Sequence, residues 1–110
     1  MAITIHLFYR GEGTSALDFA EEMTRSGVVA GIREEEGNLG YDYYRSLSDP
    51  SEILLIDRWR DQSAIDAHHA SVWMQEIFRL REKYDLHMRV ERFEDTEGNL
   101  PEQDRDFIRG

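Results

Sequence analysis

An α+β fold of the ferredoxin-like, split βαβ kind is what this 110-residue chain predicts. Four short segments alternate apolar and polar residues with period two. Two longer stretches carry apolar residues at helical spacing. Their order along the chain is strand, helix, strand, strand, helix, strand.

Ile3, Ile5, Leu7 and Tyr9 alternate with Thr4, His6, Phe8 and Arg10, which marks the first strand. Gly11-Glu12-Gly13 breaks it, and Thr14 or Ser15 can cap a helix from about Ala16 to Arg25. Leu17, Ala20 and Met23 are expected on its apolar side, flanked by Ala16 and Phe19. Gly27 fits a left-handed helix end, and a short helical piece with Val28, Val29 and Ile32 follows, closing at Gly37. Tyr41, Tyr43 and Arg45 alternate with Asp42, Tyr44 and Ser46 in a second strand. Proline at the third place of Ser48-Asp49-Pro50-Ser51 disfavours the commonest tight turn, so a longer loop is expected. Ile53 to Arg60 forms a third strand, expected to be buried on both faces because four apolar residues run together. The short link makes strands two and three an antiparallel hairpin. Asp61 caps a short helix with Ala64, Ile65, His68 and His69. Ser71 is expected to cap a longer one, with Trp73, Ile77, Leu80 and Tyr84 in its stripe and Met74 and Phe78 beside it. Leu86, Met88 and Val90 alternate in a fourth strand. The segment from Glu94 is polar, with Phe107 and Ile108 near its end.

One domain fits this length, and 40% hydrophobic with 33% charged residues suits a folded globular chain. A formal charge of −10 argues against nucleic acid and anionic membranes as partners. With no cysteine, disulfides, thiol nucleophiles and thiolate metal sites are excluded. No leader pattern or apolar run of membrane length is present, which predicts a cytoplasmic protein. A split βαβ unit covers one sheet face with helices and leaves the other bare. His6, Phe8, Tyr44 and Phe93 alternate onto one face or the other, so a homodimer packed sheet on sheet is expected. Residues 1–94 then make the domain, and residues 95–110 a tail able to lie across the partner.

Glu35-x-Gly37-Asn38-Leu39-x-Tyr41, a strand ending in Trp59, Asp61-Gln62, and Ala67-His68 before a serine-initiated helix form a set. Over residues 2 to 94 that set resembles the antibiotic biosynthesis monooxygenase family of dimeric αβ-barrel proteins. The resemblance implies a cofactor-free oxygenase acting on a quinol or phenol with molecular oxygen. The same family also holds haem-degrading enzymes, an isomerase of a phosphorylated signal and members of unassigned activity, so it fixes fold better than reaction. Many relatives carry Ser or Thr, Pro, His, Met at the helix start, where this chain reads Ser71-Val72-Trp73-Met74. The haem-degrading branch resembles an Asn, Trp, His set, whose tryptophan and helix histidine fall at His68 and Phe78 here. A haem role is therefore disfavoured, and no cofactor is expected.

His68 is the candidate base, since histidine titrates near 6.5 and a base working at neutral pH needs a pKa near 7. Local capping or packing is its bland alternative. His69 lies about 100° further round the helix, so both imidazoles are not expected to face one pocket squarely. Helical metal-ligand pairs sit at i and i+4, which disfavours a metal site built from these two. Trp59, Tyr41, Tyr43 and Trp73 are candidates to line a flat pocket for a planar ligand, against ordinary core packing. Asn38 is a candidate polar contact. Glu35 is read as anchoring the Gly37-Asn38 turn, and Glu34 to Glu36 as a solvated face. Arg58, Arg60, Arg89 and Arg92 can pair with acids across strands, and one of them could meet an anionic ligand. The leading reading is a cofactor-independent monooxygenase with His68 as base. The alternatives are an isomerase or other proton-transfer enzyme on a small polar metabolite, and a ligand-binding protein without catalysis.

Overall fold

The computed structural model describes residues 1–96 and 100–110. The predicted order is present: β1 (Ile3–Arg10), α1 (Ser15–Arg25), α2 (Val28–Arg33), β2 (Asn38–Arg45), β3 (Glu52–Trp59), α3 (Gln62–His69), α4 (Val72–Lys83) and β4 (His87–Glu94). A short 3₁₀ turn, Glu102–Phe107, follows near the C-terminus. The strands form one antiparallel sheet in the order β2-β3-β1-β4, which is the ferredoxin-like arrangement.

Register decides which residues meet the helices. Ile3, Ile5, Leu7 and Tyr9 of β1 share a face with Ile53, Leu55, Asp57 and Trp59 of β3, and with Tyr41 and Tyr43 of β2. Helix α1 buries Ala16, Phe19, Ala20 and Met23 against that face, a stripe turned slightly from the expected one. Helix α4 buries Met74, Ile77 and Leu80. Only the helix side of β3 is fully buried; Leu54, Ile56 and Arg58 on its other side are half-exposed. The expectation of a strand buried on both faces fails because nothing among the described residues covers that side. Thr4, His6, Phe8, Tyr44 and Phe93 share the uncovered face.

The local signals act as elementary chemistry requires. Gly27 takes φ +90° after α1 and turns the chain directly into α2. Asp61 caps α3 by accepting the Ala64 N–H at 3.0 Å. Ser71 precedes α4 but makes no side-chain cap to it; its hydroxyl instead donates to the His68 carbonyl at 2.7 Å. That bond ties the end of α3 to the start of α4. Strand β2 starts at Asn38, three residues earlier than the alternation suggested, because a bulge between Asn38 and Gly40 hides the period.

Candidate functional site

Gly37 is the first determinant of the site. It takes φ +83°, and a Cβ built there would come within 2.5 Å of the Ala64 Cβ. The α2–β2 turn therefore rests directly on helix α3. This close approach brings Glu35, at the end of the turn, to His68, one helical turn beyond Ala64. The Glu35 Oε1 lies 2.7 Å from His68 Nδ1, with side-chain exposures of 16% and 6%. Glu35 is therefore not part of a solvated face.

His68 is buried, and its ring stacks on the Trp59 indole at 4.7 Å between centroids and 29° between planes. Burial lowers its pKa below the ordinary histidine value, and the Glu35 carboxylate only partly opposes this. The imidazole is thus neutral at pH 7. An ionised carboxylate only accepts hydrogen bonds, which assigns the proton to Nδ1. Nε2 then carries the free lone pair and has no protein partner among the described residues.

Beside this pair lies a cavity of about 460 Å³ between α3, α4 and the β1–β4 side of the sheet. Ile5 and Leu7 come from β1, Asp57 and Trp59 from β3, and Ile65, His68 and His69 from α3. Helix α4 adds Met74, Phe78 and Arg81, and the uncovered inner side of β4 adds Met88, Val90 and Arg92. The volume and mostly apolar walls suit a small planar molecule. His69, exposed where His68 is buried, also borders this cavity, its ring tilted 41° from that of His68.

Sequence reasoning passed over three polar groups here. Asp57 is buried; its Oδ2 accepts the Trp59 Nε1–H at 2.7 Å, while its Oδ1 has no partner. Burial pushes its pKa up to about 6, with the indole bond opposing. Arg81 donates from Nε and Nη2 to the Tyr9 hydroxyl at 3.1 and 2.9 Å. Burial raises the Tyr9 phenol, and the guanidinium restrains the rise. A carboxylate in the inward phase of the apolar run Ile53–Trp59 was the readable signal for Asp57. For Arg81 it was a cation seven residues after Met74, on the stripe begun by Met74, Ile77 and Phe78.

Of the sequence candidates, the structure places His68 and Trp59 in the cavity wall. Tyr41 is buried beneath them, with its ring edge toward His68 at 6.5 Å. Tyr43 borders a separate depression of about 430 Å³ between α1 and β2, where no imidazole or carboxylate is buried. Trp73 packs over the α-carbon of Gly31, where a Cβ would meet its ring at 2.2 Å. Asn38 spends its amide locally on the Gly40 carbonyl at 3.2 Å. Tyr41, Tyr43, Trp73 and Asn38 thus lie outside the cavity wall: the register and bulge of β2 place the two tyrosines and Asn38, and Trp73 on α4 packs on Gly31 of α2. Of the four arginines weighed, Arg92 reaches the cavity, donating to Gln62 at 2.6 Å, and Arg58 pairs with Asp95 at 2.6 Å. Among the described residues, no group of three or more His, Asp or Glu side chains is placed to hold a metal ion. No helix is long and apolar enough to cross a membrane among those residues.

Comparison with known proteins places the fold. A family model described as antibiotic biosynthesis monooxygenase matches residues 2–80. The Bacillus subtilis (strain 168) protein named "Putative monooxygenase YcnE" is 27% identical over 48 residues, 44% of this chain and 50% of that protein. The chain thus matches about half the length of this curated relative. Among solved structures, SnoaB, a cofactor-independent oxygenase from Streptomyces nogalater, superposes with TM-score 0.73 at 17% identity, covering 92% of this chain and 98% of its own. A conserved protein from Methanosarcina mazei Go1 superposes with TM-score 0.75 at 22% identity, covering 87% and 94%. At these identities the likeness to the two structures is one of fold.

Proposed function

Since the chain belongs to the antibiotic biosynthesis monooxygenase family, we propose that it is a cofactor-independent monooxygenase of a hydroxylated aromatic, with His68 as its base. The observation that carries the reading is the Glu35–His68 pair at the wall of an apolar cavity, with the Trp59 ring beside it. A phenol or quinol seated there gives its O–H proton to His68 Nε2. The imidazolium that forms is held by the Glu35 carboxylate, which keeps the ring oriented. The aryloxide can pass one electron to oxygen. The resulting pair joins in a C–O bond, and the peroxide takes the proton back. Loss of water leaves a quinone, with one oxygen atom in the product and the other in water. The substrate supplies every electron, so the protein's tasks are to bind, deprotonate and exclude bulk water.

Trp59, almost fully buried with His68 stacked on it, backs the pocket and holds the imidazole in place. Tyr41, Tyr43, Trp73 and Asn38 act on the pocket only through the scaffold. The protein acts as a homodimer in this reading. The uncovered sheet face with Phe8, Ile56, Tyr44 and Phe93 meets its copy, and the tail over 95–96 and 100–110 packs on the partner, residues 97–99 of the expected tail lying outside the described residues. Exposed Phe107 and Ile108 support that placement of the tail.

Oxygen uptake with a panel of quinols and naphthols tests the activity. Turnover is expected in the wild type and should fall by about 10²–10⁴-fold in His68→Ala. Unchanged turnover in the variant removes His68 as base. One feature favours a second reading, proton transfer on an anionic metabolite: Arg81 shares the cavity with His68. An enzyme of that kind would consume no oxygen with any member of the panel.

A further inference from the structure

The guanidinium of Arg81 has five N–H donors. Two of them, on Nε and Nη2, converge on the Tyr9 hydroxyl. The other three have no acceptor, and Arg81 forms no ion pair among the described residues. The free donors include the end-on Nη1–H and Nη2–H fork. That fork matches the two oxygens of a carboxylate. Tyr9 is itself buried, so the side of the guanidinium it occupies is fixed. The guanidinium carbon also lies 5.5 Å from the Tyr9 ring centroid and 5.7 Å from that of Phe78. Two aromatic faces and one hydroxyl therefore hold the group at the wall of the 460 Å³ cavity.

An arginine used only for solubility or structure would commonly meet a surface acid. The chain has many such acids, with 23 Asp and Glu against 13 Lys and Arg. Arg10, Arg33, Arg58, Arg60 and Arg79 each pair with one. Arg81 instead faces walls made largely by Ile5, Leu7, Met74 and Val90. A half-exposed guanidinium with unspent donors beside apolar walls offers an arriving anion a charge-assisted, two-point bond.

We propose that Arg81 is the anion subsite of this cavity and that the substrate is an aromatic bearing a carboxylate as well as its reacting hydroxyl. The proposal rests on the reading of the His68 cavity as the substrate site and narrows the substrate class within it. The carboxylate seats end-on against Nη1 and Nη2. The ring lies among the apolar walls of Ile5, Leu7, Met74 and Val90. The hydroxyl is left for His68 Nε2.

Binding alone, without turnover, tests this. The probes are 1-naphthol and 1-hydroxy-2-naphthoic acid, titrated under nitrogen by calorimetry at pH 7.5 into wild type, Arg81→Met and Arg81→Lys. The carboxylate is expected to bind about tenfold or more tighter than 1-naphthol in the wild type, as a charge-assisted fork implies. Arg81→Met should lose that preference while retaining 1-naphthol affinity. Arg81→Lys, which keeps the charge but not the fork, should retain part of it. Equal binding of both probes to the wild type overturns the proposal even if the variants fail to fold. So does a preference undiminished in folded Arg81→Met. The oxygen assay is separate. Carboxylate preference without oxygen uptake keeps the subsite and removes the monooxygenase reading; oxygen uptake without the preference does the reverse.

Discussion

Replacing Glu35 with Gln removes one negative charge and almost no volume, so it isolates what that charge does for His68. The two side chains meet at 2.7 Å and are 16% and 6% exposed, so water screens them little. A charge-assisted hydrogen bond in such a place contributes about 1.5–3 kcal/mol, and a neutral one about 0.5–1.5. Gln can still accept the Nδ1–H through its amide oxygen, so the fold and ring orientation should persist. The imidazolium formed when Nε2 takes the substrate proton would lose the difference, about 1–1.5 kcal/mol. At about 1.4 kcal/mol per decade, kcat/KM should fall roughly tenfold. That is far less than the loss expected for His68→Ala. The pH profile should move as well. Burial already lowers the His68 pKa and Glu35 opposes it, so Glu35→Gln should lower it further and shift the acid limb of activity to lower pH. Oxygen uptake against pH, together with carbon-edited NMR titration of the His68 ring, reads both quantities. An imidazole pKa that stays or rises would refute the argument. A rate loss equal to that of His68→Ala would refute it too, since Glu35 would then be the base.

Gly37→Ala should destabilise the fold by about 1–3 kcal/mol in urea, because φ is +83° and the new Cβ would overlap Ala64; an unchanged midpoint would show that the turn does not rest on α3. Asp57 keeps its proton to about pH 6 in the folded chain, whereas an unfolded carboxyl ionises near 4. Stability should therefore fall as pH rises through about 4 to 6, by up to roughly 3 kcal/mol, and Asp57→Asn should remove that slope. His68, whose folded pKa is lowered, contributes a slope of opposite sign in both proteins, so the comparison between them isolates Asp57. Trp59→Phe deprives Asp57 of its one hydrogen-bond donor from a side chain and should cost about 1–3 kcal/mol while raising the Asp57 pKa further, as thermal unfolding and infrared titration of the carboxyl would report. Ile56→Glu on the uncovered sheet face should yield monomers in analytical ultracentrifugation; a dimer that survives it forms through another surface.

How much of the site was legible depended on the range of the interaction. His68 could be picked because its type, its helix and its distance from an apolar strand are all local facts. Glu35 could be seen at a turn, but its partner lies 33 residues away, across a contact that the Gly37 backbone alone permits. Asp57 looked like one more residue in an apolar run, since alternation gives the face of a strand but not the depth of burial. Tyr41 and Tyr43 share a face with Trp59, yet only Trp59 reaches the cavity. Their strand lies on the far side of β3 from β1 and β4; the ferredoxin-like plan carries that order, but not which side of the sheet holds the cavity.

The sequence by itself determined the elements, their antiparallel hairpin and the split βαβ plan. Period-two and period-3.6 spacing, with Gly27 and Asp61 as punctuation, act over a few residues and leave little choice. Tertiary structure alone decided which polar groups meet at the cavity or stand behind its wall. Glu35, Asp57, His68 and Arg81 come from four different elements, and only the packing of α3 and α4 on the sheet sets their burial. Burial, in turn, is what leaves His68 neutral and Asp57 protonated to about pH 6.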